Sequence, residues 1–161
     1  MLVNFPNETL PAFFSRRRNN HQTLPFPLSE GYLDEQFHQL EELQDDVSPN
    51  FVEEVVVLFF RDSSRLISNI EQALEKHPQD FHGLRACVQQ LKGSSSSIGA
   101  LKVKNECDLF REYCDEENKE GCLRSFQKVK KEHAILRQKL EAYFQLLRQV
   151  GQMERATPSY N

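Results

Sequence analysis

Residues 81–100, FHGLRACVQQLKGSSSSIGA, constrain the fold of this chain most, because their apolar and polar side chains fall on two parallel stripes that only a helix creates. Phe81, Leu84, Val88, Leu91, Ser95 and Ile98 recur at alternating steps of three and four, the pattern of a buried seam. His82, Arg85, Gln89, Lys92 and Ser96 repeat those steps one residue later. The second stripe therefore lies about 100° round the helix from the first, flanking the core and facing solvent or a partner.

The remaining chain reads as helices that can bury such a seam. In residues 33–46, Leu33, Phe37, Leu40 and Leu43 make one apolar face. Ser48-Pro49 then predicts a new helix, with Ser48 as N-cap, Pro49 at the first helical position, and Glu53 and Glu54 near the positive end of the dipole. The run Val55-Val56-Val57-Leu58-Phe59-Phe60 has strand-like composition, but the capping signal and the spacing through Leu66, Ile70 and Leu74 favour a helix ending near Lys76, before Pro78. Six consecutive apolar residues cannot all enter one seam, so some of Val55, Leu58, Phe59 or Phe60 must be covered by the first helix or by a partner.

Gly99-Ala100 predicts a sharp break. Val103, Cys107, Phe110 and Cys114 then form the seam of a shorter helix ending near residues 115–118. The last long helix spans residues 120–150, with Leu123, Phe126, Val129, His133, Leu136, Leu140, Tyr143 or Phe144, and Leu147 inward and Gly151 closing it. The expected fold is all-α: an antiparallel four-helix bundle with an additional N-terminal helix packed on one end. The expected organisation is a flexible segment over residues 1–28, the bundle domain over 29–151 and a flexible tail over 152–161.

Composition narrows the function. A net charge of -4 argues against a nucleic-acid surface, and Arg16-Arg17-Arg18 reads as a solvated run in the proline-containing leading segment. No long apolar span suits a membrane. Cys87, Cys107, Cys114 and Cys122 lack zinc-type spacing with histidine, so they read as free thiols in a reducing compartment, with no metal or cofactor. His133 reads as a hydrogen-bonded residue at the core edge, since no further ligand shows metal spacing with it. Lys92-Gly93-Ser94 has the wrong order for a Walker phosphate loop. The four serines alone could simply be small residues that bond back to carbonyls one turn earlier.

Read together, however, residues 89–100, QQLKGSSSSIGA, resemble the motif H-Q-L-K-G-S-S-x-S-x-G-A of the plant histidine-containing phosphotransfer proteins. Every element is present except the first, where Gln89 stands in place of the histidine. Ser48-Pro49-Asn50-Phe51, the VVVLFF run, Val103-Lys104-Asn105-Glu106-Cys107, Glu120-Gly121-Cys122 and Phe126-Gln127-Lys128-Val129-Lys130 extend the likeness over about residues 31–150. In that family a short helix precedes the segment resembling Gly31-Tyr32-Leu33-Asp34, where this chain has Pro25 and Pro27.

In the family so resembled, an exposed imidazole takes a phosphoryl group from the phospho-aspartate of a receiver domain, a lysine steadies the phosphoryl oxygens and a glycine leaves room for the receiver. The resemblance gives the latter two roles to Lys92 and Gly93. It makes Gln89 the phosphoacceptor-equivalent position and His82, Arg85, Gln90, Lys92, Gly93 and Ser96 the docking residues. An amide nitrogen whose lone pair is delocalised into its carbonyl is no nucleophile, so the expected product is binding without transfer.

The reading is thus a pseudo-phosphotransfer protein. It would be a monomer of cytoplasm and nucleus that is not an enzyme, binding receivers of hybrid histidine kinases and response regulators and damping a cytokinin-type relay. The alternative is an active carrier using another histidine such as His82, and a third class is a helical scaffold without a receiver partner.

Overall fold

A computed structural model describes residues 31–156, with side chains described to residue 153. The segment expected to be flexible at 1–28, its arginine run, and residues 157–161 lie outside the described residues. Five helices follow one another with short connections: α1 (Glu35–Leu43), α2 (Phe51–Lys76), α3 (Phe81–Ile98), α4 (Leu101–Asp115) and α5 (Lys119–Ala156). There is no strand among the described residues. Helices α2 to α5 form the four-helix bundle, each packed on its chain neighbour, and α1 lies against α2 and α3.

The seams meet as their spacing predicts. Leu84, Val88, Leu91 and Ile98 of α3 are buried with Val103, Cys107, Phe110 and Cys114 of α4 in one continuous core. From α5, Phe126, Val129, Leu136, Leu140, Tyr143 and Phe144 join it, so both aromatic residues near its end point inward. Phe110 is fully enclosed, and its ring meets that of Phe126 edge to face. Truncation to Ala there removes that contact and opens a cavity, at a cost of about 3–5 kcal/mol.

Several local expectations shift. Helix α2 starts at Phe51 rather than Pro49: Ser48 and Pro49 remain in the turn, Asn50 occupies the cap position, and its side chain makes no cap hydrogen bond. The free N–H of Val52 donates instead to the Gln44 Oε1 at 3.1 Å, so a side chain from the α1–α2 connection caps the helix. Of the VVVLFF run, Val56, Phe59 and Phe60 are buried and Val55 packs on the core, while Val57 and Leu58 remain exposed. Helix α1 is shorter than the apolar pattern suggests, and Leu43 faces solvent.

In α5, Leu123 is exposed and Cys122 takes the inward position, a one-residue rotation of the first turn. Gly151 does not stop the helix, which continues to Ala156. A glycine ends a helix by adopting positive φ, and only Gly31 and Gly99 do so among the described glycines.

The α3–α4 corner fixes the orientation of the exposed stripe. Asp80 caps α3 by accepting from the Gly83 N–H at 3.0 Å. At the other end Gly99 adopts φ 75°, and the N–H of Ala100 reaches back to the Ser95 carbonyl at 2.8 Å. A β-carbon on Gly99 would run into the Asp34 carboxylate and sit 2.8 Å from the Phe37 backbone nitrogen. The chain entering α1 clasps this corner, with Asp34 N–H donating to the Gly99 carbonyl at 2.9 Å and Leu101 N–H to the Tyr32 carbonyl at 3.1 Å.

Candidate functional site: the exposed face of α3 and α4

Because its seam is buried against the core, α3 presents the neighbouring residues outward. His82, Arg85, Gln89, Gln90 and Gly93 are exposed, and Lys92 and Ser96 are half-buried at the α4 boundary. All seven residues singled out from the sequence thus share the outer side of one helix. The serines after them behave as helix-internal groups: Ser95 Oγ donates to the Leu91 carbonyl at 2.7 Å and Ser96 Oγ to the Lys92 carbonyl at 2.9 Å. Ser97 Oγ donates to the Ser94 carbonyl at 2.6 Å. Their hydroxyl protons are committed to the backbone, which leaves oxygen lone pairs as what they offer a partner.

Sequence reasoning missed half of this face. Helix α4 contributes Asp108, Arg111 and Asp115, which stand opposite the α3 stripe in a ladder of polar contacts. Arg85 Nε lies 2.8 Å from Asp115 Oδ1, and Lys92 Nζ lies 2.6 Å from Asp108 Oδ1. Arg111 reaches both levels, donating from Nη1 to Gln89 Oε1 at 3.4 Å and approaching Asp108 with Nη2 at 3.8 Å. The sequence signal was there: Lys104, Asp108, Arg111 and Asp115 follow the α4 seam one residue later, just as the α3 stripe follows its own seam.

This arrangement has a defined chemistry. Asp108 holds the Lys92 ammonium beside the helix surface, one turn from Gln89, in a pair that is half-buried at the α3–α4 boundary, where an anionic partner group can compete for the ammonium. Gln89 presents a neutral amide whose oxygen already meets a guanidinium. Gly93 faces open space, with nothing within 4 Å of where a β-carbon would stand, so bare backbone is offered beside the two polar side chains. Such a surface can accept a protein partner and interact with its anionic groups, and Gln89 provides no nucleophile for bond formation.

The other described histidines lie apart from it. His38 pairs with Glu42 on α1 at 3.3 Å, and His77 terminates α2. His133 is buried, with Nε2 2.7 Å from Ser63 Oγ and its ring against Phe60 and Phe59. Burial, reinforced by the Arg137 charge, pushes its pKa down to about 4, so the imidazole is neutral and enclosed, as a hydrogen-bonded core residue. Among the described residues no group of three or more His, Cys, Asp or Glu could hold a metal ion.

The geometry matches known proteins. An Hpt domain model matches residues 54–153. The chain is 68% identical over 130 residues to pseudo histidine-containing phosphotransfer protein 2 of Oryza sativa subsp. japonica, covering 81% of this chain and 86% of that one. It is 66% identical over 116 residues to histidine-containing phosphotransfer protein 4 of Arabidopsis thaliana, covering 72% and 91%. Among solved structures, a histidine-containing phosphotransfer protein from Medicago truncatula superimposes with a TM-score of 0.74 at 44% identity, over 78% of this chain and 86% of that one. A maize counterpart gives 0.72 at 40% identity, over 88% and 96%. The extended likeness in sequence and the shared helical bundle agree: this chain belongs to the Hpt domain family, among the plant histidine-containing phosphotransfer proteins.

Proposed function

We propose that this protein is a phosphorelay component of the pseudo-phosphotransfer type, which docks receiver domains of hybrid histidine kinases and response regulators without carrying phosphate. The observation that carries the reading is Gln89, exposed on the α3–α4 face at the one position where the family motif requires histidine. The neighbouring Lys92 and Gly93 keep the residue types of that motif, so recognition outlives transfer. Arg85, Gln90 and Ser96 complete the docking stripe, with His82 at its edge and Asp108, Arg111 and Asp115 as the α4 side of the same surface. By occupying receivers, such a protein damps the relay, which in a plant is a cytokinin-type signal, and its place is where those receivers are, in cytoplasm and nucleus. It acts as a monomer in this role and is no enzyme. No described helix is long and apolar enough to cross a membrane.

His82 is the residue an active carrier would use, since it is the one histidine on the polar stripe of α3. Seven residues separate it from Gln89, about 10 Å along the axis. Phosphoryl transfer needs reacting atoms about 3–3.5 Å apart, so a receiver centred on Lys92 and Gly93 leaves His82 out of reach.

One reconstituted relay tests both. A phosphorylated receiver is incubated with wild type and with His82→Ala, while complex formation is followed by calorimetry. The expected result is a complex with both proteins and base-stable label on neither. Label on wild type that disappears in His82→Ala overturns the non-transferring reading. Absence of any complex, with intact helical circular dichroism, overturns the docking reading.

A further inference from the structure

The junction of α4 and α5 brings together two thiols that the docking face does not use. Cys114 lies in the last turn of α4 and Cys122 in the first turn of α5, joined by the short connection 116–118. Both are free and buried, and their sulfurs stand 3.7 Å apart across the hairpin. A covalent bond between them needs the sulfurs to close by about 1.7 Å, within what side-chain rotation and a small shift of one helical turn supply. We propose that Cys114 and Cys122 are a redox modification site, forming a disulfide when the protein meets hydrogen peroxide.

The balance is simple. A thiolate sulfur of one cysteine attacks a peroxide oxygen; the S–O bond forms, the O–O bond breaks, and the departing hydroxide takes up a proton as water, leaving a sulfenic acid. The second sulfur attacks the sulfenic sulfur; the S–S bond forms and the S–O bond breaks, and the released hydroxide takes the proton of the second thiol. Together two thiols and one peroxide give one disulfide and two waters.

Burial controls the rate of the first step. Loss of hydration pushes the Cys114 thiol well above its ordinary range, with the Cys122 sulfur adding to the effect, and it raises Cys122 too. In the closed structure neither is a ready thiolate, so reaction proceeds through opening of the hairpin. The connection is suited to open. Glu117 adopts φ 53°, a left-handed conformation that a side chain disfavours, and the exposed Lys119, Glu120 and Leu123 begin α5. Closure is held by the Asn118 side chain accepting from the Gly121 N–H at 2.9 Å and by Gly121 packed on the Tyr113 ring. Once open, the pair stays tethered by a chain so short that the second thiol resolves the sulfenic acid before a further oxidant arrives.

Peptide mapping of the full chain after peroxide treatment and alkylation decides the proposal. The expected product is one disulfide-linked peptide pair containing Cys114 and Cys122, reversed by dithiothreitol, with Cys107 still reduced. Asn118→Ala removes the cap of α5 and is expected to speed linkage several-fold, while Cys114→Ser abolishes it. Linkage equally fast in wild type and Asn118→Ala contradicts the opening step. Free Cys114 and Cys122 alongside oxidised Cys87, the more accessible thiol, overturns the assignment. Receiver binding enters nowhere in this readout, so the result stands apart from the proposed function.

Discussion

The outer face of α3 and α4 and the interior between α2 and α5 each organise polar groups around one helix pair, with opposite results. Outside, Arg85, Gln89 and Lys92 meet Asp115, Arg111 and Asp108 while retaining contact with water. Inside, His133 meets Ser63 with both residues buried and two phenylalanine rings closing the space. The outer groups can trade their partners for those of an incoming protein at small cost, whereas separating the inner pair strands polar atoms in the core. The chain seals the His133 imidazole in its core, and on the function proposed above it presents the Gln89 amide where the phosphotransfer motif has its histidine. Side-chain identity thus matters through placement: a histidine that is sealed is structure, and only one that is exposed can be chemistry.

The strongest test of that contrast is to put a histidine on the outer face. Gln89→His is expected to change phosphate uptake from none to acid-labile, base-stable label after incubation with a phosphorylated receiver, because Lys92 and Gly93 stand ready around it. A variant that binds receivers and still takes no label shows that the site has lost more than its nucleophile. The salt bridge of Lys92 with Asp108 is then the first suspect, and Asp108→Asn the variant that frees the ammonium.

The inner histidine predicts a pH effect of the next size. Its folded pKa, about 4, lies below the ordinary 6.5, so the unfolded chain binds a proton that the folded protein refuses over that window. Stability from this group is therefore fully present above pH 6.5 and is lost as pH falls towards 4, by about 3 kcal/mol in all. Urea midpoints measured between pH 7 and pH 4.5 should fall for wild type and fall distinctly less for His133→Gln, which cannot take up the proton. Parallel curves for the two proteins would show that His133 is not held neutral.

Lys92→Glu perturbs the outer ladder instead. It places a second carboxylate against Asp108, and the expected loss of receiver affinity is roughly tenfold, about 1.4 kcal/mol, with the helical circular dichroism unchanged. Both side chains are partly solvated, so the repulsion is relieved by their moving apart rather than by unfolding. Calorimetry giving equal affinities for the two proteins would remove Lys92 from the docking face.

What the sequence disclosed follows the same division. The α3 stripe, the seams and the all-α bundle were legible because three-and-four spacing reports which side of a helix is buried, and the apolar residues obeyed it from Leu84 to Ile98. The part played by the α4 half of the face is not legible in the sequence, because what Asp108, Arg111 and Asp115 do depends on which helix lies opposite them. Local punctuation misled where tertiary contacts decide. Gln44 caps α2 from the preceding connection, so Ser48 is not needed, and Gly151 continues a helix that nothing at that position compels to stop. In α5 the inward place expected for Leu123 belongs to Cys122, because the first turn packs on Cys114, a contact that periodicity in a single helix cannot report.

The smallest expected effect separates stability from function at one residue. Gly93 is exposed in the interior of α3, its φ is negative, and nothing lies within 4 Å of a β-carbon built there. Glycine at an exposed helix-interior position costs about 1 kcal/mol relative to alanine, through the backbone freedom it loses on folding. Gly93→Ala should therefore raise the unfolding temperature by a few degrees, about 4 °C for a domain of this size. If a receiver backbone approaches α3 at this point, the added methyl group keeps it from full contact, and affinity falls by roughly threefold, about 0.6 kcal/mol. A gain in stability with unchanged binding would place the docking contact elsewhere along the stripe. A loss of stability would mean that the space beside Gly93 is not open. Opposite signs for the two measurements, a firmer fold and a weaker complex, are what a glycine retained for a partner at the expense of its own helix produces.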